Sequence, residues 1–236
     1  MPDAADTPPV TLIGGPTASG KSRLALDRAM KTGAVILNAD SQQLYADLRI
    51  LSARPSVDEE ALAEHRLYGV VDAAEAWSVG RWTRAVMPML QALAAEGRPA
   101  ILVGGTGLYF HALTRGLADI PDVPDAVRDA AMLAYDTQGE DAFRHRLSQR
   151  DPRAAERIER GDRQRLTRAM AVADHTGRAL SDWVADTTPL LAPGSWKGVV
   201  VEPARDILYA RCDARVATMV EQGALDEVRA LSLIHI

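Results

Sequence analysis

The segment Leu12–Leu26, LIGGPTASGKSRLAL, constrains this chain more than any other. Gly15, Gly20, Lys21 and Ser22 satisfy the pattern G-x-x-x-x-G-K-[S/T]. Such a loop belongs between a buried strand and the start of a helix. Its backbone N–H groups turn inward around phosphate oxygens, and the helix aims its positive end at them. The glycines permit the turn, Lys21 adds a full charge, and Ser22 offers a hydroxyl to Mg²⁺. Lysine occurs only three times in the chain, so Lys21 is not background. The run Gly15-Pro16-Thr17-Ala18-Ser19-Gly20-Lys21-Ser22 therefore predicts a phosphate site, but does not say which phosphate compound fills it.

The flanking sequence supplies the required frame. VTLIGG (Val10–Gly15) reads as a buried strand, and a helix is expected from Gly20 to Lys31 with Gly33 as its stop. AVILNAD (Ala34–Asp40), AILVGG (Ala100–Gly105) and GVVVEPA (Gly198–Ala204) read as further strands. Helical patterns cover Val79–Glu96, where Pro88 predicts a kink, and Asp206–Gln222. Strands alternating with helices predict an α/β fold: a P-loop NTPase-like parallel sheet flanked by helices. Between Leu117 and Trp196 the strand signal disappears. Asp151-Pro152, Gly161-Asp162 and Gly177 punctuate short helices there. The expected organisation is a core of residues 1–118 and 196–236, with an all-helical insertion domain at 119–195.

Composition excludes several classes. An apolar fraction of 47% supports a core, and 5% aromatic content leaves aliphatic residues to pack it. No apolar run approaches the ~20 residues that span a bilayer. The start, MPDAADTPP, lacks the charged and apolar parts of a signal peptide. Cys212 stands alone, which rules out an internal disulfide and a multi-thiolate zinc site. His65, His111, His145, His175 and His235 show no metal spacing. A reduced cytoplasmic monomer without membrane partners is expected. GALDEVRALSLIHI begins an amphipathic helix and ends in apolar residues without a cap, which reads as a truncated C-terminus.

Four further features carry candidate chemistry. Asp40 closes the second strand, where ligands of open α/β sheets sit, and should face the phosphate loop. With Ser41, Gln42 and Gln43 it concentrates a carboxylate, a hydroxyl and two amides. The functional reading of Asp40 is a general base or metal-shell ligand; the bland one is a helix cap. The third strand ends in Gly104-Gly105-Thr106 instead of the Asp that often holds Mg²⁺ in nucleotide-hydrolysing P-loop proteins, which weakens a hydrolytic reading. From Arg144 to Arg168 nine arginines face four acids, although the whole chain carries a net charge of −5. Within that window Gln164 and Arg168 lie one turn apart beside Arg165, with Leu166 facing inward. Amide plus guanidinium suits base edges and phosphates of unstacked RNA.

GPTASGKS (Gly15–Ser22), NADSQQLYADL (Asn38–Leu48), LVGGTGLYFHAL (Leu102–Leu113) and DRQRLTRAMAV (Asp162–Val172) together resemble one family, in that family's order: the tRNA dimethylallyltransferases, or tRNA isopentenyltransferases. The resemblance runs from about Val10 to Leu231. It implies Mg²⁺-dependent transfer of a prenyl group from dimethylallyl diphosphate to the exocyclic amine of the adenosine 3′ of the anticodon. That base must leave its stack to react. By the same resemblance Thr17–Ser22 grip the diphosphate, and Asp40–Gln43 meet the base with Asp40 as general base. An arginine helps neutralise the leaving group. Thr106 and Arg128 occupy positions that matter for catalysis, and Gln164, Arg165, Leu166, Thr167 and Arg168 form a second tRNA-contacting segment. Leu51-Ser52-Ala53-Arg54-Pro55 departs from the family's usual Gly-Thr-Ala-Lys-Pro. Family members also continue past the EVRAL helix with segments this sequence lacks, which implies weakened tRNA binding. The competing readings are a P-loop small-molecule kinase and a non-catalytic RNA-binding module.

Overall fold

The computed structural model describes residues 10–235. The acidic start at residues 1–9, the terminal Ile236 and the side chains of residues 232–235, His235 among them, lie outside the described residues. The chain divides into two compact units, Met1–Thr114 with Pro189–Ile236, and Arg115–Thr188.

In chain order the first unit contributes β1 (Val10–Gly14), α1 (Lys21–Thr32), β2 (Val35–Asn38), α2 (Val57–Leu62), β3 (His65–Arg66), α3 (Val79–Ala95), β4 (Ala100–Gly104) and α4 (Gly107–Arg115). The second contributes α5 (Asp125–Gln138), α6 (Glu140–Ser148), α7 (Pro152–Arg157), α8 (Arg163–Thr176) and α9 (Leu180–Ala185). The first unit resumes with β5 (Trp196–Val200), α10 (Arg205–Glu221) and α11 (Ala224–His235).

The sheet is parallel, with strand order β3-β2-β4-β1-β5. Its central strands alternate sides, so each face acquires its own apolar layer. Leu12, Leu37 and Leu102 pack with Trp82, Val86, Leu90 and Leu93 of α3 and Tyr109 and Leu113 of α4. Ile13, Ile36, Ile101 and Val103 pack with Ala25, Leu26 and Ala29 of α1. Gly33 ends α1 in the left-handed region at φ 70°. Pro88 lies inside α3 on its exposed side, where water can satisfy a freed carbonyl.

Two elements depart from the sequence reading. The strand expected at Gly198–Ala204 starts earlier, at Trp196, and stops at Val200. It is an edge strand whose Lys197, Gly198 and Val200 are exposed, so its apolar run is not a buried one. The two-residue β3 carries no apolar periodicity; it exists because His65 and Arg66 pair with Ile36 and Leu37. No helix among the described residues is long and apolar enough to cross a membrane.

The second unit packs Phe143, Leu147, Ile158, Leu166 and Met170 into one cluster and Val123, Ala131 and Val172 into another. Two polar residues pin it. Asp151 is fully buried and accepts backbone N–H bonds from Ala154 (2.9 Å) and Ser181 (2.8 Å). Burial works to raise its pKa, but the hydrogen bonds from Ser181 and Ala154 hold it below the usual carboxylate value. Arg144 donates to the carbonyls of Ala155 (2.5 Å), Ile158 (2.7 Å) and Glu159 (3.0 Å), capping the end of α7.

Candidate active site

The phosphate loop bridges β1 and α1. Two of its residues lie in the left-handed region: Gly20 (φ 93°) adopts it freely, whereas Ala18 (φ 57°) is strained and must be held there by its surroundings. Gly15 is needed for a different reason. A Cβ there would lie 2.5 Å from the carbonyl oxygen of Val201 and 2.9 Å from Ser19 Oγ. The Pro16 carbonyl accepts from the Ser19 N–H (3.3 Å) and from Lys21 Nζ (3.2 Å). Ser19 Oγ is buried with no hydrogen-bond partner among the described residues, a polar atom inside the bend of the loop.

The ends of β2 and β4 are locked together beside this loop. At Gly104 a Cβ would fall 2.0 Å from the Ala39 carbonyl oxygen, so only glycine permits this backbone approach. Thr106 N–H donates to the Ala39 carbonyl (3.3 Å), and Thr106 Oγ1 accepts from the Ser41 N–H (2.9 Å). The Asn38 side chain accepts from the Asp40 N–H (2.8 Å) and donates to the carbonyls of Asp40 and Leu67 (2.9 Å each). Asp40 is thereby presented two residues beyond β2. Its Oδ1 accepts the Gln42 N–H (3.0 Å), and its Oδ2 makes no hydrogen bond among the described residues. A Gly105 Cβ would stand 3.3 Å from that Oδ2. One oxygen of the carboxylate therefore caps the turn, and the other has no hydrogen-bond partner among the described residues.

A cavity of about 210 Å³ joins these parts. Thr17–Arg23, Asp40, Gln43, Ser52, Ala53, Glu59 and Arg215 line it. Burial lowers the Lys21 pKa; the Asp40 charge opposes that shift and Arg215 adds to it. Arg215 of α10 donates to Thr17 Oγ1 (3.1 Å), adding a second cation at the loop. Nothing in the sequence singled out Arg215, because α10 follows the loop by nearly two hundred residues and only the tertiary fold brings them together. Gln43 has a structural partner: its Nε2 donates to the carbonyls of Ser52 (2.9 Å) and Ala53 (2.8 Å). Gln42 is exposed. The exposed Ser22 hydroxyl and the Asp40 and Glu59 carboxylates line one cavity with the phosphate loop, an oxygen donor set that would suit Mg²⁺ carried on a diphosphate. Among the described residues no cluster of three or more His, Cys, Asp or Glu could hold a metal alone.

The remaining candidates lie in the second unit. Arg128 donates to the Val123 carbonyl (2.8 Å) and pairs with Asp125. It lines a cavity of about 640 Å³ with Arg157, Gln164, Arg165, Thr167 and Arg168. Leu166 is fully buried and Thr167 nearly so, its Oγ1 donating to the Arg163 carbonyl (2.9 Å). These two side chains secure α8; Gln164, Arg165 and Arg168 are the exposed residues of the segment 164–168. The arginine window is less free than its charge count implies. Arg144, Arg153, Arg160, Arg163 and Arg165 pair with Glu140, Asp182, Asp141, Asp136 and Asp162. Four of those five acids lie outside the window. Arg157 and Arg168 line the cavity with no carboxylate partner among the described residues.

The family model for IPP transferase matches residues 43–235. The chain is 57% identical over 231 residues to the tRNA dimethylallyltransferase of a Caulobacter species, covering 98% of this chain and 74% of that protein. It is 56% identical over 224 residues to the enzyme of the same name from Phenylobacterium zucineum, covering 95% and 72%. Among solved structures, a eukaryotic dimethylallyltransferase acting on tRNA matches with a TM-score of 0.79 at 25% identity. That match covers 96% of this chain and 56% of that one. The full-length tRNA isopentenylpyrophosphate transferase from Bacillus halodurans matches with a TM-score of 0.62 at 28% identity, covering 95% and 70%.

Proposed function

The chain belongs to the IPP transferase family, and from that premise we propose that it transfers a dimethylallyl group from dimethylallyl diphosphate to tRNA. The acceptor is the exocyclic amine of the adenosine 3′-adjacent to the anticodon, in tRNAs reading codons that start with U. The carrying observation is the one cavity lined by the phosphate loop with Lys21, by Arg215 and by Asp40, whose Oδ2 makes no hydrogen bond among the described residues. The amine nitrogen forms a bond to the terminal allylic carbon as that carbon's bond to the diphosphate oxygen breaks. The electron pair leaves with the diphosphate, and Asp40 takes the amine proton. Lys21, Arg215 and the N-terminus of α1 stabilise the charge that develops on the leaving oxygens. Mg²⁺ held by the Ser22 hydroxyl would supply further positive charge to the diphosphate. Thr106 serves by fixing Ser41, and so the acceptor segment, against β4.

The exposed Gln164, Arg165 and Arg168, with Arg128 and Arg157, are proposed to contact tRNA. Because one chain supplies Lys21, Asp40 and Arg215 to one cavity, the proposed active species is a monomer, and its proposed setting is the cytoplasm. Membership of a prenyltransferase family disfavours the small-molecule kinase reading.

The test incubates the protein with Mg²⁺, unmodified tRNA and either dimethylallyl diphosphate or ATP, followed by mass analysis of nucleosides. Prenylated adenosine is expected with the former. ATP consumption on a small acceptor with no prenylated adenosine would overturn the reading.

A further inference from the structure

Residues 48–56 form a turn without helix or strand of their own, and Ser52 and Ala53 within it wall the phosphate cavity. Three consecutive backbone N–H groups of this turn point at one side chain. Glu227 Oε1 accepts from Arg49 (2.6 Å) and Ile50 (2.8 Å), and Oε2 accepts from Leu51 (2.8 Å). Successive backbone N–H groups make an anion-binding concavity, and hydrogen bonds to a charged acceptor are stronger than neutral ones. Here the anion is the protein's own, delivered from α11, 176 to 178 residues later in the chain.

The turn passes this restraint onward. Its Ser52 and Ala53 carbonyls hold the Gln43 amide, and its Arg54 Nη1 donates to the carbonyls of Tyr45 (3.3 Å) and Ala46 (3.1 Å). Ala53 sits in the left-handed region at φ 52°, a conformation that persists only where surrounding contacts fix it. We propose that Glu227 is a positioning residue: by clamping residues 49–51 it fixes the Ser52–Ala53 wall of the phosphate cavity, to which the Gln43 side chain is tied. Its kinetic consequence rests on the prenyl-transfer reading. Lys21, Asp40 and Arg215 sit on other elements, so losing the clamp loosens the enclosure and leaves the reacting groups in place.

The test compares Glu227→Ala, Glu227→Gln and the control Asp226→Ala, whose carboxylate meets Arg229 (2.7 Å). Amide hydrogen exchange at Arg49, Ile50 and Leu51 is read first. In Glu227→Ala these amides should exchange at least about tenfold faster, given the strength of bonds to a charged acceptor, with β1 and β4 amides unchanged. Glu227→Gln keeps one acceptor oxygen and should restore much of the protection. Asp226→Ala should change nothing. Transfer kinetics then follow. KM for dimethylallyl diphosphate should rise about tenfold in Glu227→Ala with kcat within about threefold, whereas a smaller folded fraction would lower kcat at constant KM. Unchanged exchange, or a fall in kcat alone, would overturn the proposal. A wild-type protein that transfers nothing would tell against the reaction assigned above, while the exchange data would still decide the role of Glu227.

Discussion

Replacing Gly104 by Ala should damage chemistry more than stability. An ideal Cβ at Gly104 would stand 2.0 Å from the Ala39 carbonyl oxygen, 2.1 Å from the Ala39 carbonyl carbon and 2.6 Å from the Asp40 nitrogen. All three are backbone atoms, so no rotamer change relieves the clash. The ends of β2 and β4 must part by more than about 1 Å to relieve the clash, and overpacking of this kind costs about 1–3 kcal/mol. For a chain of 236 residues that corresponds to a fall in Tm of roughly 2–12 °C. The displaced backbone carries Asp40, and a misplacement of about 1 Å at a reacting group can cost about 100-fold in rate. Two neighbours calibrate the effect. Gly105→Ala puts its Cβ 3.3 Å from Asp40 Oδ2 and should reduce transfer less. Gly107 has nothing within 4 Å of such a Cβ and begins α4, so Gly107→Ala should keep activity and gain slightly in stability. Thermal unfolding and transfer assays on the three variants are the test. Wild-type Tm and wild-type transfer in Gly104→Ala would refute the argument that this glycine sets the Asp40 position.

Other outcomes follow from the same geometry. Arg215→Ala removes a cation from the loop and should raise KM for dimethylallyl diphosphate about tenfold or more, measured by initial rates. Arg157→Ala with Arg168→Ala should weaken tRNA binding. In binding titrations the slope of log affinity against log salt should shrink by roughly 0.7 for each phosphate no longer neutralised. Asp151 has a depressed folded pKa, so its contribution is present above the unfolded value near 3.9 and lost as pH falls through the folded one. The second unit should therefore lose stability below about pH 4, and Asp151→Asn should flatten that part of the profile in acid unfolding followed by circular dichroism.

The parts of the fold set by local chemistry were legible in the sequence. The phosphate loop, the apolar runs of β1, β2 and β4, and Gly33 as the stop of α1 each follow from a few adjacent residues. The edge position of β5 was not legible, because an apolar run has the same appearance whether one face or two are covered. Arg215 was invisible because its meeting with Thr17 depends on how α10 returns to the sheet. The charge of the Arg144–Arg168 window was overstated because the acids that pair with it, such as Asp136 and Asp182, lie outside it in sequence. Gln43 reads in the sequence as one of two amides concentrated beside Asp40, and its tie to the Ser52 and Ala53 carbonyls appears only in the fold. The position of Asp40 beside the loop was legible from the end of its strand. The different surroundings of its two oxygens, Gln42 N–H at one and Gly105 beside the other, needed the three-dimensional fold.

The central claim is that the unpartnered oxygen of Asp40 takes the proton from the acceptor amine while the loop holds the diphosphate. The most direct measurement is single-turnover transfer by Asp40→Asn, with diphosphate binding measured on the same protein. Transfer should fall by roughly 10²- to 10⁴-fold, the range for a positioned base, with diphosphate affinity within a few-fold of wild type. Wild-type transfer by Asp40→Asn would contradict the account, as would a loss explained entirely by failure to bind diphosphate.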